Sequence, residues 1–472
     1  MENFSSLRRW TIFAIVATGN YMALLSATSV NVALPIIEQE FAASLSGIQW
    51  VVTGYLLVIS SVLPVFGWAG DSTQRKYVIA LGFLVFGLGS FLCAQVTSLA
   101  WLIIFRLIQG LGASMNMANS YAAITNAFPA NERGKALGLQ GSMVALGSIS
   151  GPAVGGFLLE YFSWDSIFYI NLPFAAIGFF MAMRYIPKTP ARQNKSFDLL
   201  GAFLMITSLS FFIISISQWG RPGWSDVEIA GYMLLSLLLF YLFLRWEART
   251  PTPLVEVSMF HNKTFLNGNL AGLCSFLALN SHSMLLPFYL HQIINASPKT
   301  MGLILMVFPV MMIITAPISG SLSDRYGTSL FAVSGMSLMA TALILLIITA
   351  HWAESWTLAV ILGLLGASNG IFQSPNNVST LSVVPVEKHG MAGSMVALMR
   401  NLGSVVGIAL SVRICDKVAD IYLAGRPAYE TIANDAFIAG YQAAIALGVC
   451  FAFAGLTFSF IKKRNLTESD KP

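Results

Sequence analysis

Charge is what this sequence has least of. Asp, Glu, Lys and Arg make up only 10% of its 472 residues, against about 25% in a soluble globular domain. So few charges cannot cover a water-exposed surface of this size, which argues against a soluble enzyme and a disordered chain. The pI near 9.0 does not rescue a nucleic-acid-binding domain, because the chain has too few charges and its basic excess is mostly a topology signal. Cysteine is scarce too. Cys93, Cys274, Cys415 and Cys450 stand singly in apolar runs or at the end of one, with no metal spacing and no disulfide framework. The five His are scattered, so a His-metal site is not expected. No P-loop, nucleophile elbow or HExxH motif occurs, so an ATP-driven pump or a hydrolase has no support. The expectation is a protein that is not an enzyme and has no cofactor, metal or nucleic-acid partner.

What the sequence has in abundance is apolar residues, 56% of the chain, with a mean hydropathy of +0.72. They form runs of roughly 20 residues, the length that crosses a bilayer as a helix. Fourteen are read: 10–36, 46–69, 77–97, 99–122, 136–158, 166–186, 199–219, 229–246, 265–293, 301–322, 329–350, 355–380, 391–413 and 436–461. Thirteen runs follow the first, so the first is read as a span and not a cleaved leader. The alternating ten-residue segments of a closed barrel are absent. The expected fold is all-α. With both termini on one side, nineteen of the 26 Lys and Arg fall on that side and five on the other, Arg106 and Arg400 lying inside spans. The positive-inside rule then sets both termini in the cytoplasm. A single cysteine placed at position 223 is expected to react with an impermeant thiol reagent from outside, and one at 190 is not. Reaction at 190 alone would reverse the map.

A further absence concerns function. None of the 21 Asp and Glu lies in the middle of a span; Glu160 and Asp198, at membrane ends, come nearest. Ionisable groups at membrane depth are costly and usually functional, so the missing carboxylates weaken the reading of a cation-selective pump. Three ionisable groups do lie inside spans: Arg106, His282 and Arg400. Arg106 and Arg400 are candidates for cavity electrostatics or for bonds to helix carbonyls. His282 alone has an ordinary pKa near neutrality, and it is either a proton carrier or an interhelical hydrogen-bonding group. Asn20, Ser26, Asn31, Asn116, Asn119, Gln140, Gln373, Asn376 and Asn377 are the polar candidates for a substrate cavity, though such a residue taken alone is more often a helix–helix hydrogen bond than a ligand contact. Twenty Met and 33 Phe could line an adaptable apolar cavity.

The chain repeats itself. Gly141–Leu146 (GSMVAL) recurs unchanged at Gly393–Leu398, an offset of 252, and Gly151 and Gly155 recur as Gly403 and Gly407. The turn Gly67-x-x-x-Asp71 is echoed by Gly320-x-Leu322-x-Asp324-Arg325-x-Gly327, and Gly110-x-Gly112-Ala113-Ser114 by Gly363-x-x-Gly366-Ala367-Ser368. The offset pairs span 2 with 10, 4 with 12 and 5 with 13. Two six-span halves result, with spans 7 and 8 between them. The expected division is 1–190 for the first bundle, 191–255 for the two linking helices, and 256–472 for the second bundle with a short tail. Parallel repeats of this kind build alternating-access transporters.

These residues resemble the major facilitator superfamily, specifically its fourteen-helix drug:proton antiporter branch, over nearly the whole chain. The superfamily's loop motif G-x-L-a-D-R-x-G-R-K is matched at Gly67, Asp71, Arg75 and Lys76, with Ser72 and Gln74 replacing an Arg and a Gly. The resemblance makes these four, with Asp324 and Arg325 of the second copy, a cytoplasmic latch. The fourth-span motif is similar at Leu102-x-x-x-Arg106-x-x-Gln109-Gly110-x-Gly112. The fifth-span exporter motif is complete at Gly138, Gly147, Gly151-Pro152 and Gly155-Gly156. Its physics is readable directly: glycines at this spacing bare one helix face to a neighbouring backbone, and Pro152 bends the span. The result is a seam that could rock or simply pack. The first span reads Leu25-Ser26-Ala27-Thr28-Ser29-Val30-Asn31-Val32-Ala33-Leu34-Pro35 against the branch's L-D-x-T-I-V-N-V-A-L-P, with Ser26 where the branch has Asp.

The resemblance implies a monomeric multi-pass protein of a bacterial cell membrane, which uses the proton gradient to export amphipathic small molecules. A carrier of a neutral or anionic metabolite or lipid is the rival reading, because the spans hold arginines and no acids. A non-transporting membrane receptor is the third. It would need an extra soluble domain or long tail, which these residues do not supply.

Overall fold

The structure is a computed structural model and describes residues 5–188, 198–219, 224–250, 253–254, 257–352, 354–385, 389–424 and 429–469. The loop positions 190 and 223 lie outside the described residues.

Among the described residues, fourteen helical stretches are long and apolar enough to cross a membrane, one for each expected span, and each is built on one main helix. The main helices are α1 (Ser6–Glu40), α2 (Leu45–Ser72), α3 (Arg75–Cys93), α4 (Leu99–Ala127), α5 (Ala130–Tyr161), α6 (Asn171–Tyr185), α7 (Leu199–Gln218), α8 (Asp226–Glu247), α9 (Lys263–Ser283), α10 (Pro298–Tyr326), α11 (Thr328–Thr349), α12 (Ser355–Leu381), α13 (His389–Leu423) and α14 (Glu430–Ser469). In lipid every backbone N–H and C=O must be satisfied within the chain, and a helix does this locally. Polar caps mark several starts. The Ser5 hydroxyl accepts from the Arg8 N–H, and Ser225 with Glu228 forms a reciprocal capping box at the start of α8.

Three spans differ from the sequence reading. Span 6 is split into a single turn, Ser166–Tyr169, and α6. Span 9 ends as an α-helix at Ser283 and continues through Leu286–Phe288 into a π-helical turn at Tyr289–Ile293, where Pro287 cannot extend the ladder. Span 13, expected to end at 413, stays helical to Leu423. Arg413, Asp416, Lys417 and Asp420 mark where hydropathy falls, but charged residues are compatible with a helix that leaves the apolar layer.

Contacts divide the chain into two compact units, Met1–Ile206 with Pro298–Met306, and Thr207–Ser297 with Val307–Pro472. Inside the first, α1 packs on α4 and α5, α2 on α4, and α3 on α4 and α6. Inside the second, α9 packs on α13 and α14, and α11 on α12 and α14. The pairings α1–α5, α3–α4 and α3–α6 thus recur as α9–α13, α11–α12 and α11–α14, which is the sequence repeat expressed as packing. Helices α7 and α8 hold each other through Ser236 Oγ donating to Ser208 O at 2.8 Å and a Phe211–Tyr232 stack at 5.6 Å.

Candidate functional site

In the first unit the polar residues of the apolar helices converge on Arg106. Its side chain is 0% exposed. Nε donates to Val51 O at 3.0 Å, and one terminal nitrogen donates to Ser26 Oγ at 3.1 Å and to Gln109 Oε1. Gln109 Nε2 in turn donates to Ser90 Oγ at 2.6 Å. The guanidinium lies 4.0 Å from the centre of the Tyr55 ring, a cation–π contact that gains strength where water is excluded. One cation thereby ties together α1, α2, α3 and α4. Its other terminal nitrogen has no hydrogen-bond partner. Ser26 stands where the resembled family carries Asp, so the guanidinium meets a hydroxyl there and not a counter-charge.

The α5 glycines touch neighbouring backbone. A Cβ at Gly147 would lie 2.9 Å from Tyr21 O, one at Gly151 would be 1.8 Å from Thr28 Oγ1, and one at Gly155 would be 2.9 Å from Ser29 O. These three face α1. Gly156 faces the first turns of α10, where a Cβ would be 2.5 Å from Pro298 O, and a Cβ on Gly302 would be 2.3 Å from Pro152 O. The Lys299 N–H donates to Glu160 Oε2 at 3.2 Å beside this contact. Pro152 lies inside α5; the surroundings of Gly138 lie outside the described side chains. In the second unit Gly403 and Gly407 repeat the close approach of α5 to α1, with Cβ positions 2.7 Å from Leu273 O and 3.0 Å from Leu277 O of α9.

The second unit also holds a small cavity of about 30 Å³ between α9, α12 and α13. Gly268, Asn269, Gly272 and Phe276 line it from α9, Gln373, Asn376 and Asn377 from α12, and Val396, Met399 and Arg400 from α13. Four expected site residues, Gln373, Asn376, Asn377 and Arg400, are therefore brought together. Arg400 is exposed to this space. Asn376 is held on both ends of its amide: Nδ2 donates to Gly268 O at 3.0 Å and Oδ1 accepts from Lys462 Nζ at 3.0 Å. Lys462 also donates to Asn376 O at 3.2 Å and Thr380 Oγ1 at 2.9 Å, so each ammonium hydrogen has an acceptor. Lys462 is one of the nineteen basic residues that the sequence reading sets on the side of the termini, yet it is 3% exposed. Its place next to the last apolar run was the available signal. Asn269 was missed because its run looked apolar as a whole.

The remaining expected residues are dispersed. Asn20 Oδ1 accepts from Ser120 Oγ at 3.0 Å, linking α1 to α4. Asn119 Nδ2 donates to Phe66 O at 2.9 Å. Asn116 is buried beside Gly19 and Gly82. Gln140 is buried with neither amide atom bonded, and Asn31 is half-buried in α1. His282 sits in the last turn of α9, 4% exposed, with Nδ1 unbonded. Of the expected latch, the Asp71 side chain lies outside the described ones. Gly67 has open space where a Cβ would stand, Arg75 is buried, Lys76 is half-buried, and Asp324 and Arg325 are exposed.

Residues 16–408 and, overlapping them, 268–467 match the Major Facilitator Superfamily. The chain belongs to the major facilitator superfamily. It is similar to the riboflavin transporter RibZ of Clostridioides difficile, 35% identical over 461 residues that cover 97% of this chain and 98% of that protein. It is also similar to the multidrug resistance protein Stp of Mycobacterium tuberculosis, 29% identical over 408 residues, 86% of this chain and 76% of that one. A bacterial homolog of the human lysosomal transporter Spinster, in an inward-facing and unoccupied conformation, shares the fold with a TM-score of 0.67 at 13% identity, covering 99% of this chain and 100% of that one. The chain is thus a multi-pass membrane protein of the facilitator fold, in the drug-efflux branch of the superfamily. Its relatives are transporters of small molecules, and the fold and family readings of the sequence agree with this.

Proposed function

We propose that this protein is a proton-coupled secondary transporter that exports uncharged or anionic amphipathic small molecules by alternating access, with both termini in the cytoplasm. The observation that carries the substrate class is the cavity of the second unit: Arg400 and four amide side chains line it, and no carboxylate does. A cation meets the repulsion of Arg400 there with no carboxylate to offset it, whereas carbonyl or carboxylate oxygens find a charged donor. The similarity to a riboflavin transporter supports this reading. The intact α5 glycine motif favours export. A second reading, export of cationic drugs, is favoured by the similarity to a multidrug resistance protein. Flux into proteoliposomes under an imposed pH gradient separates them: riboflavin-like or acidic compounds are expected to move, and ethidium-like cations are not. Movement of the cations alone would reverse the assignment.

Coupling needs a group that changes charge during the cycle, and Arg does not lose its proton at accessible pH. His282 is the mid-span group that can. His282→Gln keeps hydrogen-bonding ability, so it separates a proton role from a structural one. The variant is expected to bind substrate as wild type does and to lose the pH dependence of flux. Undiminished gradient-driven transport would remove His282 from the mechanism.

A further inference from the structure

The donors and acceptors of the second-unit cavity are arranged for one kind of ligand edge. Asn269 is 2% exposed; its Nδ2 is used on Phe265 O at 2.9 Å, which leaves Oδ1 as a buried acceptor with no partner. A buried amide oxygen without a partner carries an unpaid desolvation cost, so a donor supplied by a ligand would be gained at no competing bond. Arg400 lines the same space. The Asn377 amide, half-buried, lines it from α12. Asn376 cannot swing to quench them, because Lys462 and Gly268 hold both ends of its amide. The cavity therefore presents Arg400 and the Asn377 amide together with the buried Asn269 oxygen and the Gln373 amide, whose Nε2 is used on Ser275 Oγ at 3.3 Å, beside the apolar side chains of Phe276, Val396 and Met399.

A bare carboxylate would satisfy the donors but would face the Asn269 oxygen with another acceptor. An ammonium would satisfy that oxygen and be repelled by Arg400. An edge that alternates C=O, N–H and C=O meets both demands. We propose that this cavity takes the imide edge of a flat heteroaromatic ligand, with the ligand N–H on Asn269 Oδ1 and its flanking carbonyls on Arg400 and Asn377. At about 30 Å³ the cavity is far smaller than a site that encloses a whole drug-sized ligand, so it grips that edge alone and leaves the rest of the ligand to other surfaces. Asn269 and Arg400 contact the ligand, and Lys462 is a positioning residue acting through Asn376. The proposal rests on the substrate class proposed above and narrows it.

The test is equilibrium binding to the purified full-length protein in detergent. It uses riboflavin, 3-methylriboflavin (which keeps both carbonyls and lacks the imide N–H), fluorescein as a carboxylate, and ethidium as a cation. Wild type is expected to bind riboflavin at least about tenfold more tightly than 3-methylriboflavin, the scale set by one buried hydrogen bond left unmade. Asn269→Ala should bring the two flavins within about twofold of each other, and Arg400→Gln should weaken both by about tenfold. A general structural defect would weaken both flavins and leave their ratio intact. Asn269→Ser provides the same comparison if the Ala variant does not fold. Equal binding of the two flavins to wild type, or a ratio that survives in the Asn269 variant, overturns the imide subsite and leaves the broader substrate class standing. Binding of fluorescein without riboflavin does the same. Binding of ethidium alone, or of none of the four, overturns both.

Discussion

Gly151→Leu is expected to abolish transport while the protein still reaches the membrane. At this position a Cβ alone would stand 1.8 Å from Thr28 Oγ1, 2.8 Å from Thr28 Cβ and 3.1 Å from Leu25 O. Thr28 cannot simply turn away, because its hydroxyl already donates to Leu24 O at 2.8 Å within α1. An isobutyl group must therefore push α5 off α1. Overfilling a packed contact with one or two methylenes costs about 1–3 kcal/mol, a factor of about 5 to about 150 in rate, and an isobutyl group against a Cβ position already in clash lies at or beyond the upper end. Gly141→Ala on the same helix is the control, since nothing lies within 4 Å of its Cβ position; it should transport as wild type does. Gly151→Ala should fall between them and recover in part with Thr28→Ala, which removes the nearest atom. Normal flux by Gly151→Leu at normal membrane abundance would show that the contact tolerates separation.

The asymmetry between what the sequence disclosed and what it withheld has a physical basis. The fourteen spans were legible because lipid imposes a length and a polarity on any crossing segment. That one face of α5 admits a neighbouring backbone was legible because glycines at helical spacing have few other uses in an apolar helix; that the neighbour is α1 was not. The recurrence of that contact between α9 and α13 followed from the repeat of Gly151 and Gly155 as Gly403 and Gly407. The polar clusters were less accessible. Asn20 and Gln373 look alike in one dimension, yet the first only joins two helices of one unit, whereas the second joins α12 to α9 through Ser275 and also lines a cavity. Which of these an amide does depends on the rotation of its helix against two neighbours, a long-range property. Lys462 was hidden for a related reason. A lysine at the end of an apolar run reads as a charge that snorkels to water, whereas here α12 offers it three acceptors. The break after Ser283 left only Pro287 as a trace, too little to distinguish a kink from a helix end.

Arg106 sets the other large expected effect, and its value lies in separating charge from packing. Arg106→Ala should destabilise the protein by roughly 3–5 kcal/mol, because it opens a void and strands Ser26 Oγ and Gln109 Oε1 without a donor. That result alone would say nothing about transport. Arg106→Met is the informative variant. An apolar side chain of similar reach fills the volume against Tyr55 and removes a buried cation, and exchanges of this kind are often close to neutral for stability. The Met variant is therefore expected to fold with a melting temperature within a few degrees of wild type while losing most of its transport. The reason is that an uncompensated cation within the apolar layer is expensive to keep, and packing alone does not require one. Arg106→Lys should be intermediate, since a point charge cannot reproduce the bonds to Val51, Ser26 and Gln109 together or the stacking on Tyr55. Thermal unfolding in detergent gives the first quantity and gradient-driven flux the second. A Met variant that is stable and transports normally would reduce Arg106 to a strut between four helices; a stable one that binds substrate but does not turn over would place its charge in the working cycle.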